Sequence, residues 1–275
     1  MEPCAVQTSP ARMPSLFVGH GSPMNLITDN PYRSSWEALG RSLPRPEAVL
    51  CVSAHWETDA TAVTMAEPLR TIHDFGGFPP ALHAQQYPVP SAARWARETI
   101  DTVRSVRIAE DRGWGLDHGA WCVLKPMYPA GDVPVFQLSI DATRPVRWHF
   151  ELGRELSALR ERGVLLLGSG NIVHNLRMLR PGAHYEWAGT FDRFVVDCIE
   201  RNAVEALLDD ALFEGAPLDN ATLGAAARLA VPTREHFLPL LYVLGARQPG
   251  DRLTVFNQAY ELGALSMTSV LFSDR

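Results

Sequence analysis

The chain has 275 residues, of which 46% are hydrophobic and 20% charged, so it can bury a large core and is not disordered by composition. A formal charge of −6, with 25 lysines and arginines and no basic run, excludes a nucleic-acid binder that works by attraction to phosphates. No apolar stretch approaches the roughly 18–20 residues of a membrane span. The cysteines are scattered and form no CxxC pair, which is typical of a protein of the reducing cytoplasm. They are Cys4, Cys51, Cys122 and Cys198.

The first twelve residues are polar and lack the apolar segment of a secretory signal. We therefore expect residues 1–12 to form a disordered leader. No internal repeat, low-complexity tract or change in composition divides the rest of the chain. Residues 13–275 are accordingly predicted to form one catalytic domain.

Short apolar runs, often with β-branched residues, predict strands that are covered on both faces. These runs are Ser15–Val18, Ala48–Ser53, Thr61–Met65, Val133–Leu138, Val164–Gly168, Leu253–Phe256 and Met267–Phe272. Apolar residues at helical spacing predict helices between many of the strands. These are a helix capped by Ser91, Arg147–Arg162, a helix over about Glu186–Leu212, and Phe237–Leu244. The alternation predicts an α/β fold, with a central mostly parallel or mixed sheet flanked by helices.

The segment Glu67–Pro90 interrupts this alternation. It contains five prolines and the pair Gly76-Gly77, so it is predicted to be a loop. A loop of this length inside one domain usually has a function, as a lid or as the wall of a pocket.

Three strand-like runs end in small residues followed by a histidine. The histidines are His20, His55 and His174, and the glycine-rich residues before His174 predict a turn followed by a helix with this histidine about one turn in. Open α/β proteins build their sites at the rim where strands end. Imidazole is the commonest protein ligand for metals and also transfers protons near neutral pH. We therefore expect these three histidines to share one site, and the first hypothesis is a metalloenzyme.

Three further histidines are candidates for the same site. His118 lies between two tryptophans and two glycines, a pattern that suggests a pocket wall. His236 opens the apolar helix Phe237–Leu244, with Thr233 as the predicted N-cap and Glu235 as a neighbouring carboxylate candidate. His73 lies in the proline-rich loop, where it could line a substrate pocket.

Several common catalytic motifs are absent from the chain. There is no HExxH, no nucleophile elbow of the GxSxG type, no P-loop and no GxGxxG fingerprint. What remains is a site assembled from scattered histidines, which suits Fe(II) or Zn(II).

Taken together, the segments around these histidines resemble the DODA-type extradiol aromatic ring-opening dioxygenases, the 4,5-DOPA dioxygenase extradiol-like proteins. The wider group includes the catalytic subunit of protocatechuate 4,5-dioxygenase. The matching segments follow one another in order over nearly the whole chain after Met13. They are Gly19–Asn25, Ser53–Trp56, Ile72–Pro79, Trp114–Gly119, Gln137–Asp141, Ser169–Leu176 and Glu235–Leu241.

The resemblance implies a divalent metal held by His20, His55 and His236. The usual non-haem iron triad is two histidines and one carboxylate. Here the third position is His236 with Glu235 beside it, so the choice between these two side chains stays open. The resemblance also implies an α/β fold and a small-molecule catechol and dioxygen as the reactants.

In the same comparison, His174 is a catalytic acid/base or a fourth metal ligand, and His118 is an acid/base near the substrate. Zn(II) can organise a catechol but has no redox change for activating dioxygen. Fe(II) is therefore the expected metal for dioxygenase activity, although the isolated protein could carry Zn(II). The product would be a semialdehyde.

Two other functional classes use the same histidines. A zinc-dependent hydrolase would employ metal-bound hydroxide and need no dioxygen. A metal-binding or small-molecule-binding protein without catalysis would not require the additional acid/base groups His118 and His174. The sequence leaves the natural catechol and the oligomeric state open.

Overall fold

The structure is a computed structural model that describes residues 12–214 and 221–274. Within these ranges, eight strands form one mixed sheet and two short strands form a separate hairpin. The strands are β1 (Ser15–Gly19), β2 (Ala48–Thr58), β3 (Ala62–Thr64), β4 (Ala109–Asp111), β5 (Val135–Asp141), β6 (Val164–Gly170), β7 (Arg252–Phe256), β8 (Tyr260–Glu261), β9 (Leu265–Ser266) and β10 (Ser269–Ser273). The order in the main sheet is β4-β3-β5-β2-β6-β1-β10-β7.

Helices cover both faces of this sheet. The α-helices are α1 (Pro31–Ser42), α2 (Pro80–His83), α3 (Ala93–Thr102), α4 (His118–Met127), α5 (Val146–Leu156), α6 (Glu186–Glu200), α7 (Ala211–Glu214), α8 (Ala221–Ala230) and α9 (Leu238–Gly245). Short 3₁₀ helices lie at Pro23–Leu26, Ser157–Arg162, Leu176–Met178 and Val204–Leu207. Over the described ranges, none of the helices combines the length and the apolar character needed to cross a membrane.

The four central strands β5, β2, β6 and β1 pair in parallel and are buried on both faces. Alternate side chains of one strand enter different cores. Leu50 of β2 packs with residues of α3, α5, α6 and α9, whereas its neighbours Val49 and Cys51 pack with α1 and α4. The sheet therefore separates two hydrophobic cores, and the α/β fold with a central mixed sheet flanked by helices is confirmed.

All seven strand-like runs found in the sequence are strands in the structure. The largest difference is in β2, which continues through His55 to Thr58 instead of ending at Ser53. A break in its register with β5 between Val52 and Glu57 lets the strand bend as it passes the edge of the sheet. The helix expected over Glu186–Leu212 ends at Glu200.

A buried ion pair joins the start of the described chain to its end. Arg160 and Asp251 are both inaccessible to solvent and lie 2.7 Å apart, and the same guanidinium donates to the carbonyl of Met13. Arg12, the last residue of the expected disordered leader, also pairs with Asp251 at 2.8 Å. The other residues of that segment, 1–11, lie outside the described residues.

Helices α5 and α9 pack against each other through glycine. A Cβ atom at Gly153 of α5 would overlap the carbonyl oxygen of Tyr242 in α9, and one at Gly245 of α9 would overlap the carbonyl oxygen of Phe150. The absence of side chains at these two positions lets the helix backbones touch. This contact matters for the site because α9 begins two residues after His236.

We expect Gly153→Ala to lower the free energy of unfolding by about 2 kcal/mol, because the added methyl group forces the two helices apart. Urea denaturation followed by circular dichroism measures this change. Gly76→Ala is the matched control, since nothing lies within 4 Å of the added Cβ atom. Equal stability of the two variants would show that the helix contact tolerates a side chain.

A second contact between these helices makes stability depend on pH. His149 of α5 hydrogen-bonds the hydroxyl of Tyr242 through Nδ1 at 2.9 Å, and burial lowers the pKa of His149 to about 4. Because the unfolded chain binds this proton at a higher pH than the folded chain, stability falls as the pH drops from about 6.5 to about 4. The expected contribution of His149 to this loss is up to about 3 kcal/mol. Urea titrations of metal-free protein across this range should give a shallower pH dependence for His149→Asn than for the unaltered protein.

Candidate functional site

The carboxyl ends of β1, β6 and β2 lie side by side at one edge of the sheet, and each leads to a histidine. His20 follows β1 directly, and its amide donates to Gly170 at the end of β6. His55 lies within the extended part of β2, and His174 comes four residues after β6. The structure thus brings these three residues together, and it adds His118 and His236 to the group.

The histidines line one cavity of about 670 Å³. Its wall combines imidazoles, carboxylates and apolar side chains from seven separate regions of the chain. The lining residues are His20, Gly21, Ser22, Pro23, Ala54, His55, Glu57, Asp74, Phe75, Phe78, His118, His174, Leu176, Leu179, Glu235, His236, Leu262 and Leu265. Such a cavity is large enough for a small aromatic molecule.

Three of the histidines are spaced as metal ligands would be. One nitrogen each of His20, His55 and His236 lies within 4.8 Å of the other two. The Nε2 atoms of His20 and His55 are only 3.3 Å apart. Three imidazole nitrogens that converge in this way can hold a divalent cation such as Fe(II) or Zn(II).

Hydrogen bonds on the far side of the rings select the tautomers that metal binding needs. Ser169 donates its hydroxyl proton to the carbonyl of Gly119, so its oxygen accepts a hydrogen bond from Nδ1 of His20. Nδ1 of His236 donates to Glu235 at 3.1 Å. In both rings the lone pair is therefore on Nε2, and the buried Nε2 of His236 has no hydrogen-bond partner in the described structure. A histidine whose Nδ1 is held by an oxygen while Nε2 stays free is the usual arrangement around a bound metal.

His118 is held by a carboxylate from the proline-rich loop. Asp74 accepts hydrogen bonds from both the backbone amide and Nδ1 of His118, each at 2.9 Å. Burial opposes ionisation of Asp74, but the bonds from His118 prevail and lower the pKa of this carboxyl. The same carboxylate lies 3.6 Å from Nδ1 of His55. Asp74 therefore orients one imidazole and faces a second one.

Helix α4 presents His118 at its first position. This helix was not predicted from the sequence. Asp117 is its N-cap, and the Asp117 carboxylate accepts a hydrogen bond from the amide of Ala120 at 3.1 Å. Asp117 is itself buried, held by Ser53 and by Gln137. Position 119 requires a glycine, because a Cβ atom there would lie only 2.5 Å from the hydroxyl oxygen of Ser53.

His236 precedes α9 and is placed by a close backbone approach. A Cβ atom at Gly170 would overlap the carbonyl oxygen of His236, and the amide of Asn171 donates to that oxygen at 2.8 Å. The expected N-cap, Thr233, is wrong: its hydroxyl instead donates to Glu235 at 2.8 Å, and Phe237 occupies the cap position.

His174 does not lie one turn into a helix, as its glycine-rich surroundings suggested. Its backbone forms a β-bridge with Leu265 and donates to the carbonyl of Ala230. Its ring stacks on His236, with the ring centroids 3.4 Å apart and the planes 6° from parallel. His174 thus approaches the site alongside a candidate ligand.

Burial keeps the clustered histidines neutral. It is the main reason that the pKa of His55 falls to about 3 and that of His174 to about 4. Burial, reinforced by the neighbouring imidazoles, also lowers the pKa of His20 and of His236. At neutral pH these rings therefore carry free lone pairs, which is the form that binds metals and accepts protons.

The proline-rich loop forms part of the cavity wall, through Asp74, Phe75 and Phe78. His73 does not line the cavity. Its Nε2 lies 2.8 Å from the carbonyl oxygen of Gln85, and its ring packs 5.4 Å from that of Trp121. His73 therefore contacts other residues of the loop and Trp121, outside the cavity lining.

Sequence analysis missed three polar residues of the site. Asp74 lies next to the chosen His73, but its contact with His118 spans 44 residues and has no local signal. Ser169 pairs with both Val18 and Ser53 in the register of the parallel strands, and its small size at a strand end was a usable hint. Glu57 lies two residues beyond His55 and shares its face of β2. Partial burial and the charge of Glu235 raise the pKa of Glu57.

The fold and the cavity define an α/β enzyme with a histidine site suited to a divalent metal. Residues 14–221 match the family described as the catalytic LigB subunit of aromatic ring-opening dioxygenase. The chain is 46% identical to a 4,5-DOPA dioxygenase extradiol of Escherichia coli K12 over 95% of each chain. It is 32% identical to a 4,5-DOPA dioxygenase extradiol of Beta vulgaris, over 94% of this chain and 96% of that one.

A crystal structure of an uncharacterized protein from Escherichia coli K12 is similar as well, with a TM-score of 0.78 and 40% identity. The match covers 94% of this chain and 99% of that chain. The chain therefore belongs to the LigB family of aromatic ring-opening dioxygenases, and it is an extradiol ring-cleaving dioxygenase. None of the relatives named above is a hydrolase, so the two competing functional classes receive no support from them.

We expect alanine at His20, His55 or His236 to abolish stoichiometric metal binding, whereas Glu235→Gln should retain the metal with an affinity on the order of tenfold weaker. The reason is that Glu235 orients the His236 ring from its far side. Metal content after Fe(II) or Zn(II) loading and dialysis measures the effect, with the exposed His184→Ala as control. If His236→Ala keeps the metal while Glu235→Gln loses it, the carboxylate is the third ligand.

Proposed function

We propose that this dioxygenase opens the ring of a DOPA-like catechol at a site in which His20, His55 and His236 hold Fe(II). Two observations carry the ligand assignment: the buried Nε2 of His236 has no hydrogen-bond partner in the described structure, and one nitrogen each of His20, His55 and His236 converge within 4.8 Å. The names of the two 4,5-DOPA dioxygenase relatives support the substrate class. Their similarity covers nearly all of the chain.

The cavity suits a planar ring with two adjacent oxygens. Phe75 and Phe78 on one segment and Leu176 and Leu179 on another supply apolar surface beside the histidine group. Bound Fe(II) would supply Lewis acidity toward the catechol oxygens and the redox change for dioxygen that Zn(II) lacks. Three protein ligands leave room for both reactants at the metal.

His118 is the proposed acid/base that takes a phenolic proton. Its Nδ1 is committed to Asp74, so Nε2 is the atom that would receive the proton. The Asp74 carboxylate stabilises the imidazolium that results, and it fixes the ring orientation throughout. His118 can then return the proton to the product.

His174 is proposed as a second proton carrier. Its ring lies flat against His236 at the cavity wall, and its lowered pKa leaves it neutral and able to accept a proton at pH 7. Coordination as a fourth ligand is the other role open to it, because His174, Glu235 and His236 also form a group with ligand atoms within 4.8 Å of one another.

The overall reaction balances without an external reductant. One carbon–carbon bond of the ring breaks beside the hydroxyl pair. One atom of dioxygen ends in the new aldehyde and the other in the new carboxylic acid, while both catechol oxygens are kept.

We expect protein loaded anaerobically with Fe(II) to consume about one dioxygen molecule per molecule of DOPA and to form a yellow semialdehyde. An oxygen electrode and absorbance spectra measure both. His118→Gln should keep the metal but lose on the order of 10²-fold in kcat, because the proton acceptor is gone. His184→Ala serves as the control again.

Absence of oxygen uptake with DOPA and with unsubstituted catechol would contradict the proposed reaction. A fully active His118→Gln would remove His118 from its proposed role, while leaving the reaction itself in place.

A further inference from the structure

Apart from the histidines, the charged side chains around the proposed catechol cavity are all acidic. Three carboxylates line it, from Glu57, Asp74 and Glu235, and the described lining residues include no lysine or arginine. Apart from the histidines and a metal held by them, the charged groups that this wall offers a substrate are therefore all carboxylates.

The proposed reaction assigns no role to the carboxylate of Glu57. Asp74 is bonded to His118, and Glu235 accepts from both Thr233 and His236. Glu57 is exposed at the rim, and its side chain forms no hydrogen bond or ion pair with another described residue. Its charge is therefore available to a molecule that enters the cavity.

Two arginines that line a cavity on the other side of these glutamates are already paired. Arg144 and Arg234 line a neighbouring cavity that shares Glu57 and Glu235. Arg144 pairs with Asp141 at 3.2 Å, and Arg234 pairs with Asp210 at 2.5 Å. Their own aspartates balance these two cations, so the two glutamates keep their negative field at the catechol cavity.

The orientation of a bound catechol follows from the histidines. The unpartnered Nε2 of His236, a residue that is only 6% exposed, points to a ligand at the histidine end of the cavity. A catechol with its oxygens at that end keeps its ring substituent in the remaining space, part of whose wall is Glu57. A cation on the substituent meets an opposite charge there, whereas a carboxylate meets like charges.

We propose that this cavity selects catechols with a cationic amine on the ring substituent and disfavours those with an anionic one, and that Glu57 is the specificity-determining residue. The inference rests on the proposed catechol site and adds the charge class of the substrate. Among catechols with substituents of similar size, it ranks the amine above the neutral compound and the neutral compound above the acid.

Binding and turnover of three catechols with similar substituents test this proposal. The probes are dopamine, the neutral 4-ethylcatechol and 3,4-dihydroxyphenylacetate. Calorimetry on the Zn(II)-loaded protein under anaerobic conditions measures Kd without turnover, and oxygen uptake by the Fe(II)-loaded protein measures kcat/KM. We expect the order amine, neutral, acid in both measurements.

Glu57→Gln should reduce the preference for dopamine over 3,4-dihydroxyphenylacetate on the order of fivefold, through Kd and KM, because it removes one rim charge. Glu57→Lys should reverse the preference. Glu200→Gln, the same change on the exposed end of α6, is the matched control and should leave the ratio unchanged.

Equal Kd values for the amine and the acid, or an unchanged ratio in Glu57→Gln, would overturn the selection. Tighter binding of the acid that is lost in Arg177→Gln would overturn it in favour of Arg177, an exposed residue next to the lining Leu176. Binding of catechols without any oxygen uptake would leave the selection standing and overturn the proposed reaction, so the two failures are distinguishable.

Discussion

Parallel pairing of β1, β6 and β2 is the constraint on which the site depends. The register pairs Gly19 with Gly170 and Ser53 with Ser169, so the three strands reach the edge of the sheet at nearly the same height. The Nε2 atoms of His20 and His55, which are 35 positions apart in the chain, then lie only 3.3 Å from each other. A slip of one residue in any of these strands would turn its side chains to the opposite face.

Small residues at this edge of the sheet let the backbone segments that carry the histidines approach one another closely. Gly170 permits the backbone at His236 to approach β6, and Gly119 leaves room for Ser53 and His55. The same crowding removes water from the imidazoles, which keeps them neutral. Hydrogen bonds from the two rings to Ser169 and Glu235 then select the tautomers, so one packing arrangement sets both the positions and the protonation states of the candidate ligands.

Local pattern was sufficient for the central parallel strands, because a buried parallel strand needs a continuous apolar run that is easily distinguished from its surroundings. The short strands β4, β8 and β9 have no such run and were not predicted. It was insufficient for α4, whose first turn depends on Asp117 being buried by Ser53 and Gln137. It also misplaced His174, since glycines after a strand are compatible with either a helix or the bridge to Leu265 that the structure contains. In the proline-rich loop, His73 was selected as a candidate because of its residue type, whereas its neighbour Asp74 makes the contact with His118.

By itself, the sequence determined the α/β fold, the histidines of the site and, through the resemblance of ordered segments, the family of dioxygenases. Composition, strand pattern and residue type carry that information locally. Only the tertiary structure decided that His236 presents a free nitrogen toward His20 and His55, that Asp74 holds His118, and that Glu57 stands unpaired at the rim. Each of these properties depends on contacts between parts of the chain that are remote in sequence. Such contacts are set by packing and burial, which no local pattern records.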